Sequence, residues 1–525
     1  MEKKFTVNKT NKNSDSSLPG PETPLEISSM YKVDNMEYYD VAPMEGRHKR
    51  SRIWHEREIP VRIVTKNTAQ GIAIKIRSKL LNSDLELEYP NSIWKKYPKE
   101  NKIKLVDNAA YIFTAHLPML LKGNIRLEYN TGYPQSYSWA QHCFMKHLTM
   151  YWYEYRSRGS GVFPLLKTLL NSRAFFSQTA DAPPEFPMSN DEIVLLPFTF
   201  GKDSFLTYHI CKELGLQTIL LFFNDPLDIN SHEGYYKKIL FKEYLKIKKE
   251  KVYYFDNPLE SLREQAEGNS FGWELLLTSW AILSLPVAYK YKAGYILFSN
   301  EKSVNAFFYD NDGFKVVPEF EQNYQATEEI SLLTQALSEG EVYTSTFLQG
   351  LNDLAIVAIL RDRYYNDTFK YLMSCWEGED RKRWCGNCSK CARLYLYISA
   401  MGVNPIKEAG FVDNMFLPEK SHLYNVFGRK ASGSGWDSFG LNKEEQMLAF
   451  YICWLRGVDE PLVNEFAQSE LFEETKNNFR DMVDEYFYLH EETTTPPQWK
   501  KKIDKIFNHS LRNVRKELRT LRRKK

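Results

Sequence analysis

The chain has 525 residues, 43% hydrophobic and 14% aromatic, which excludes an intrinsically disordered protein and leaves room for roughly three domains at about 150 residues each. Its 69 basic and 67 acidic residues give a formal net charge of +2, so no whole-molecule field steers nucleic acid and any basic function is local. Seven cysteines are present, four of them between Cys375 and Cys391; that clustering suits a metal site in a reducing compartment better than a disulfide framework.

Residues 1–50 are rich in Asn, Ser, Lys, Pro and Glu without apolar periodicity and are expected to form a flexible tail. The basic patch "RHKRSR", Arg47 to Arg52, reads as solvated. With no apolar core of signal-peptide type at the start, the expected location is cytoplasmic. Across 51–182, alternation in "IPVRIVT", "GIAIKI", "DLELEY" and "NIRLEYN" predicts strands and "SWAQHCFMKHLTMYWYEYRSR" a helix, together an N-terminal α+β domain. "TADAPPEFPMSNDE", with prolines at 183, 184 and 187, reads as a linker.

From 189 to 425 strands and helices alternate. "EIVLLPFTF", "QTILLFFN", "KVYYFD" and "YILFSN" are predicted strands. Between them lie predicted helices at Asp203–Leu214, "EGYYKKILFKEYLKIKK" and "FGWELLLTSWAILSLPVAYKYK". The last contains the most apolar stretch of the chain, but Glu274 and Pro286 interrupt it and it is too short to span a bilayer, so no membrane span is expected. Repeated βαβ units imply an α/β fold, a doubly wound parallel sheet covered by helices on both faces. Ligands of such sheets sit outside the carboxyl ends of the strands. That rule selects Phe200 to Ser204, Asn224 and Asp225, Asp256 and Asn257, and Asn300 and Glu301. Residues 426–525 read as a helical C-terminal segment ending in a basic, frayed, solvated helix.

Two motifs carry chemistry. The turn "TFGKDS", Thr199 to Ser204, joins the first of these strands to a helix. Gly201 allows close backbone approach to an anion, and N–H groups at the helix start would point at it. Lys202 is placed to pair with phosphate, Asp203 to hold Mg²⁺, and Thr199 and Ser204 to donate hydroxyl hydrogen bonds. The alternative is an ordinary strand-to-helix turn with Asp203 as a side-chain cap; the spacing is not that of a Walker A loop. The second motif is Cys375 followed, after nine residues, by Cys385, Cys388 and Cys391. Four thiolates can close a tetrahedral shell, so the ion would be a structural zinc with no position left for water, and Gly386 eases the tight turn.

Together the motifs resemble the PP-loop ATP pyrophosphatase superfamily and, within it, the 7-cyano-7-deazaguanine synthase (QueC-like) branch, whose Ser-Gly-Gly-x-Asp-Ser loop and Ser-Cys-aromatic plus Cys-Gly-x-Cys-x-x-Cys cluster match "TFGKDS", "SCW" and "CGNCSKC" over roughly 190–425. Thr199 and Phe200 depart from the loop pattern. Over more of the chain, "FGKDS", "SNEKSVN" and "RWCGNCSKCARLYL" resemble the MurL-type epimerases of UDP-N-acetylmuramoyl-L-alanyl-L-glutamate. The resemblance implies a PP-loop (HUP-like) fold that cleaves ATP to AMP and pyrophosphate, with a small-molecule carboxylate substrate. It implies ATP binding by Thr199, Phe200, Gly201, Lys202, Asp203 and Ser204, and Mg²⁺ at Asp203. Catalysis would fall to Lys202, Asp203 and Glu301, with Asn300, Glu301 and Asn305 at the substrate. Asp225, Glu319, Glu321 and Tyr324 are weaker proton-transfer candidates. Amide or nitrile formation on a deazaguanine, or modification of a macromolecule, is an alternative outcome of the same activation. A zinc-stapled scaffold without catalysis, suggested by Phe200, is another. Nucleic acid is not an expected partner, and the oligomeric state is left open.

Overall fold

The computed structural model describes residues 58–121, 123–155, 162–177, 185–224, 232–259, 262, 274–375, 383–428 and 440–525. The expected tail at 1–50, the basic patch at 47–52, residues 179–184 of the proline-rich linker, Asp225 and Trp376 lie outside them. By contacts, Glu56–Lys525 forms one unit.

An N-terminal sheet contains β1 (Ile59–Asn67), β2 (Gly71–Arg77), β3 (Asn82–Glu88), β4 (Ile125–Tyr129) and β5 (Arg173–Phe176), in the order β3-β2-β1-β4-β5. β1 pairs antiparallel with β2 and parallel with β4. Along β1 the period of two is plain: Ile59, Val61, Ile63 and Thr65 are buried while Pro60, Arg62 and Lys66 are exposed.

The second sheet contains β6 (Asn190–Pro197), β7 (Gln217–Asn224), β8 (Lys251–Asp256), β9 (Ala293–Phe298) and, after the hairpin β10 (Phe308–Tyr309) and β11 (Lys315–Val316), β12 (Tyr343–Thr346). Its order is β12-β9-β6-β7-β8, with every pairing parallel. From Val194 to Pro197 burial in β6 is continuous, not alternating, because the sheet is covered there on both faces. Val194 and Leu196 face one core with the helices Lys202–Leu214 and Asp353–Arg363. Leu195 faces the other, with the helix Leu276–Tyr291 and the apolar face of the N-terminal sheet. Trp139 Nε1 donates to Thr278 Oγ1 (2.8 Å) and the Tyr89 hydroxyl to the Leu283 carbonyl (3.1 Å), tying the N-terminal region to that helix.

Counted in chain order within this sheet, the strands run 3-2-1-4-5. Crossovers leave β6 and β9 toward opposite faces, so their carboxyl ends are the switch point at which sheets of this order form a ligand crevice. β6 stops at Pro197, three residues before the predicted end at Phe200, because the chain turns there toward the crevice. The predicted basic C-terminal helix is present, Pro497–Lys524, but it continues to Lys524 and does not end in the expected frayed stretch. Its seam of Trp499, Ile503, Phe507, Leu511, Val514 and Leu518 is buried at spacings of three and four, which holds it on the body. Among the described residues no helix is long and apolar enough to cross a membrane.

Candidate active site

The turn after β6 enters the helix Lys202–Leu214 through Gly201, an N-cap with extended backbone (φ −70°, ψ 159°) and no side-chain cap bond. The alternative role of Asp203 as a side-chain cap is therefore not what the structure has. First-turn N–H groups of a helix lack intrahelical acceptors, and here they sit at the crevice with the positive end of the dipole. Ser204 Oγ donates to the Gly201 carbonyl (3.0 Å) and accepts from the Thr199 N–H (3.4 Å), closing the turn on itself.

Phe200 takes the left-handed conformation (φ 60°) that a glycine would adopt without strain. Its ring is fully buried, packed edge-on against Phe198, Phe205, Phe241 and Tyr244, and its carbonyl accepts from the Met373 N–H (2.9 Å). The ring thus fills the core. A Cβ on Gly201 would stand 3.5 Å from Ser374 Oγ and Thr199 Oγ1, an ordinary contact. Phe200→Gly should relieve about 1–2 kcal/mol of backbone strain but lose about 3–5 kcal/mol of aromatic burial. A net destabilisation of about 2–3 kcal/mol is expected in urea denaturation.

Lys202 is 6% exposed. Its Nζ meets Asp203 Oδ1 (2.5 Å) and forms a second ion pair with Asp353 Oδ1. Asp353, in the first turn of the helix after β12, also receives Arg393 Nε on its other oxygen (3.2 Å). Two more buried carboxylates belong to the cluster. Glu301, just beyond β9, accepts from the Ser303 N–H (2.5 Å). Glu445, on the helix Lys443–Leu455, accepts from the Leu354 N–H (2.6 Å). Four acids thus share two cations. Burial, then Asp353, pushes Glu301 well above the usual carboxylate range, with Lys202 opposing. Burial likewise raises Asp203 and, with Asp353, takes Glu445 to about 8. Of the four acids, Asp203 alone has a substantially exposed side chain, at 30%.

The structure thus brings Lys202, Asp203 and Glu301 together beside the Thr199–Ser204 turn. Asp353, Arg393 and Glu445 were not foreseen. Asn300 and Asn305 serve the neighbouring loop: Asn300 Nδ2 donates to Thr327 Oγ1 (3.2 Å), and Asn305 Oδ1 accepts from the Tyr324 N–H (2.8 Å). Glu321 accepts from Leu277 N, Thr278 N and Thr278 Oγ1, so it fastens the start of the helix Leu276–Tyr291. Glu319 Oε2 accepts from Gln322 Nε2 (3.0 Å). At the carboxyl end of β7, Asn224 Nδ2 donates to Asp256 Oδ1 (3.0 Å), while its buried Oδ1 has no hydrogen-bond partner among the described residues.

The four cysteines converge. One sulfur from each of Cys375, Cys385, Cys388 and Cys391 lies within 4.8 Å of the others, with Cys385 and Cys391 at 3.7 Å. A tetrahedral zinc–thiolate shell with bonds of about 2.3 Å sets its sulfurs about 3.8 Å apart, so the donor set fits that ion. Backbone N–H groups of Cys385, Asn387 and Cys391 donate to the sulfurs of Cys375, Cys385 and Cys388, each at 3.4 Å, which favours thiolates. Gly386 has φ 67°, which favours glycine, and a Cβ there would stand 2.1 Å from Asp413 Oδ2, so a larger residue would also have to displace that carboxylate. Cys388 caps the helix Ser389–Ala400, which carries both Cys391 and Arg393. The cluster and the turn are therefore joined twice, through Met373–Phe200 and through Arg393–Asp353–Lys202.

Buried carboxyls set a pH dependence. Glu321, pushed up to about 7 by burial, and Glu445, at about 8, keep protons that the unfolded chain releases near 4.5. The folded state then binds more protons, and stability falls as pH rises through that interval. His147, driven down to about 3 by burial, acts in the opposite sense, but only below 6.5. Urea denaturation at stepped pH should show unfolding free energy declining between about pH 4.5 and 8, with His147 opposing part of the decline below 6.5. Glu445→Gln should flatten the upper part of that decline.

Compared with protein-family models and with curated protein sequences, the chain matches none.

Proposed function

We propose that this chain is an ATP-dependent enzyme of PP-loop type that adenylates a carboxylate, releasing pyrophosphate. Its sharpest form is epimerisation of the glutamate in UDP-N-acetylmuramoyl-L-alanyl-L-glutamate. The observation that carries the reading is the placement of Lys202 and Asp203 at a helix start on the carboxyl edge of a parallel sheet, beside the crevice between β6 and β9.

In this reading the turn amides and Lys202 hold the leaving pyrophosphate, whose charge must be neutralised as the substrate carboxylate attacks the α-phosphate. Asp203, the accessible carboxylate of the four, would hold Mg²⁺; such a site needs only one or two carboxylates besides the phosphates. Burial pushes Glu301 well above the usual carboxylate range, which favours its protonated form and suits it to donate a proton to the activated carbon. Epimerisation also requires a second proton-transfer group on the opposite face of that carbon. The four cysteines would hold a structural zinc that fixes the helix bearing Arg393.

The reading of a decayed, ligand-free loop rested on Phe200, and the burial of that ring in the core removes its main support. Pyrophosphate release from ATP–Mg²⁺ across a panel of carboxylates tests the proposal. Stimulation by the muramoyl dipeptide nucleotide supports the epimerase form. Stimulation by carboxy-deazaguanine alone moves the chain to the deazaguanine alternative, and no stimulation by any carboxylate counts against the class.

A further inference from the structure

Residues 497–525 carry twelve Lys and Arg against Asp504 and Glu517, in a chain whose net charge is +2. The apolar seam of the helix Pro497–Lys524 is buried, so its cations lie on other faces. Arg512, Arg515, Lys516, Arg519 and Arg523 line a groove of about 760 Å³, and Tyr488 lines it with them. Asp484 is the one carboxylate in that lining, and Arg519 reaches it only at 3.8 Å. Arg512, Lys516 and Arg523 are exposed, with no ion-pair partner among the described residues. Arg515 is held in place: its Nη1 donates to the Phe487 carbonyl (2.8 Å), and its guanidinium lies 5.6 Å from the centre of the Tyr488 ring. Tyr488 is 51% exposed.

We propose that this groove binds single-stranded RNA, with phosphates along the arginines and a base on Tyr488. From Arg512 to Arg523 the helix rises about 16 Å, enough for several phosphates in succession. Four of the five cations are arginines, whose planar forks match phosphate oxygens. An exposed ring beside a cationic groove is the combination that single strands use, by stacking on one and running along the other. A membrane surface fits less well, because interfacial helices present apolar residues to the lipid and here those residues face the protein core. The proposal is independent of the ATP reading.

The test is fluorescence anisotropy of a fluorescein-labelled twelve-nucleotide RNA with the full chain. Five phosphate contacts predict binding about 100-fold weaker at 200 mM than at 50 mM salt. The triple variant Arg512→Glu, Lys516→Glu, Arg523→Glu alters exposed side chains only, and unchanged thermal denaturation would confirm its fold. It should bind at least 10-fold more weakly, and Tyr488→Ala about 5-fold or more. Each of the following results overturns the proposal: no binding at 50 mM salt, an unchanged triple variant, an unchanged Tyr488→Ala, or equal affinity for poly-glutamate or for vesicles containing a phosphoinositide.

Discussion

Cys391→Ser is expected to abolish zinc binding and to destabilise the chain by about 5 kcal/mol or more. The free energy of holding a structural metal is folding free energy, because the unfolded chain does not present four converged thiolates. Cys391 is fully buried at the start of the helix Ser389–Ala400, whose Leu394, Leu396 and Ile398 enter the core. Removing one ligand therefore loosens the register of an entire helix. Zinc per chain by mass spectrometry should fall from one to none, and the thermal midpoint should drop with it. Cys143→Ser, at a buried thiol outside the cluster, should keep the metal. A wild-type chain that purifies without metal and loses nothing to chelators would show that the thiols are only packed together.

Asp353→Asn and Asp203→Ala should fail in different ways, although both residues meet the same lysine. Asp353 is 1% exposed, and its two oxygens face Lys202 and Arg393. Its neutralisation removes one of the two carboxylates beside Lys202 and the ion pair to Arg393, and removing one partner of a buried pair costs about 3–5 kcal/mol. It should also lower the proton affinity of Glu301 and Glu445, since Asp353 raises both. Asp203 is more exposed and shares Lys202 with Asp353, so Asp203→Ala should leave the thermal midpoint near that of the wild type. Under the ATP reading it should reduce pyrophosphate release by about 10²–10³-fold. Loss of stability without loss of turnover in Asp203→Ala would reverse the two assignments.

The strands that build the crevice were legible because a doubly covered sheet demands continuous apolar runs, and "VLLP", "ILLFF" and "YILF" are such runs between turn residues. β12 was not, because "YTST" is short and polar. Its Thr344, Ser345 and Thr346 are nonetheless buried, with hydroxyls satisfied by Thr334, Thr494 and the Asn300 carbonyl. Missing that strand hid the helix that follows it, and with it Asp353. Arg393 had a weak signal: a cation two residues after Cys391, at the head of the mostly apolar run Leu394 to Ile398, asks for a buried acid. Glu445 had none, since the contact with Leu354 joins positions 91 residues apart. The helix Lys99–Thr114 escaped for a related reason. It buries Asn101, Lys104, Asp107 and Asn108, which erase the apolar stripe, while Asp107 and Asn108 accept from the backbone at Gly132 and Ser136.

The identity of the products formed from ATP tests the central claim most directly. Phosphorus magnetic resonance of ATP–Mg²⁺ incubated with the full chain and the most effective carboxylate should show AMP and pyrophosphate accumulating together, and neither with Asp203→Ala. ADP and inorganic phosphate, or ATP left intact with every carboxylate, would contradict it.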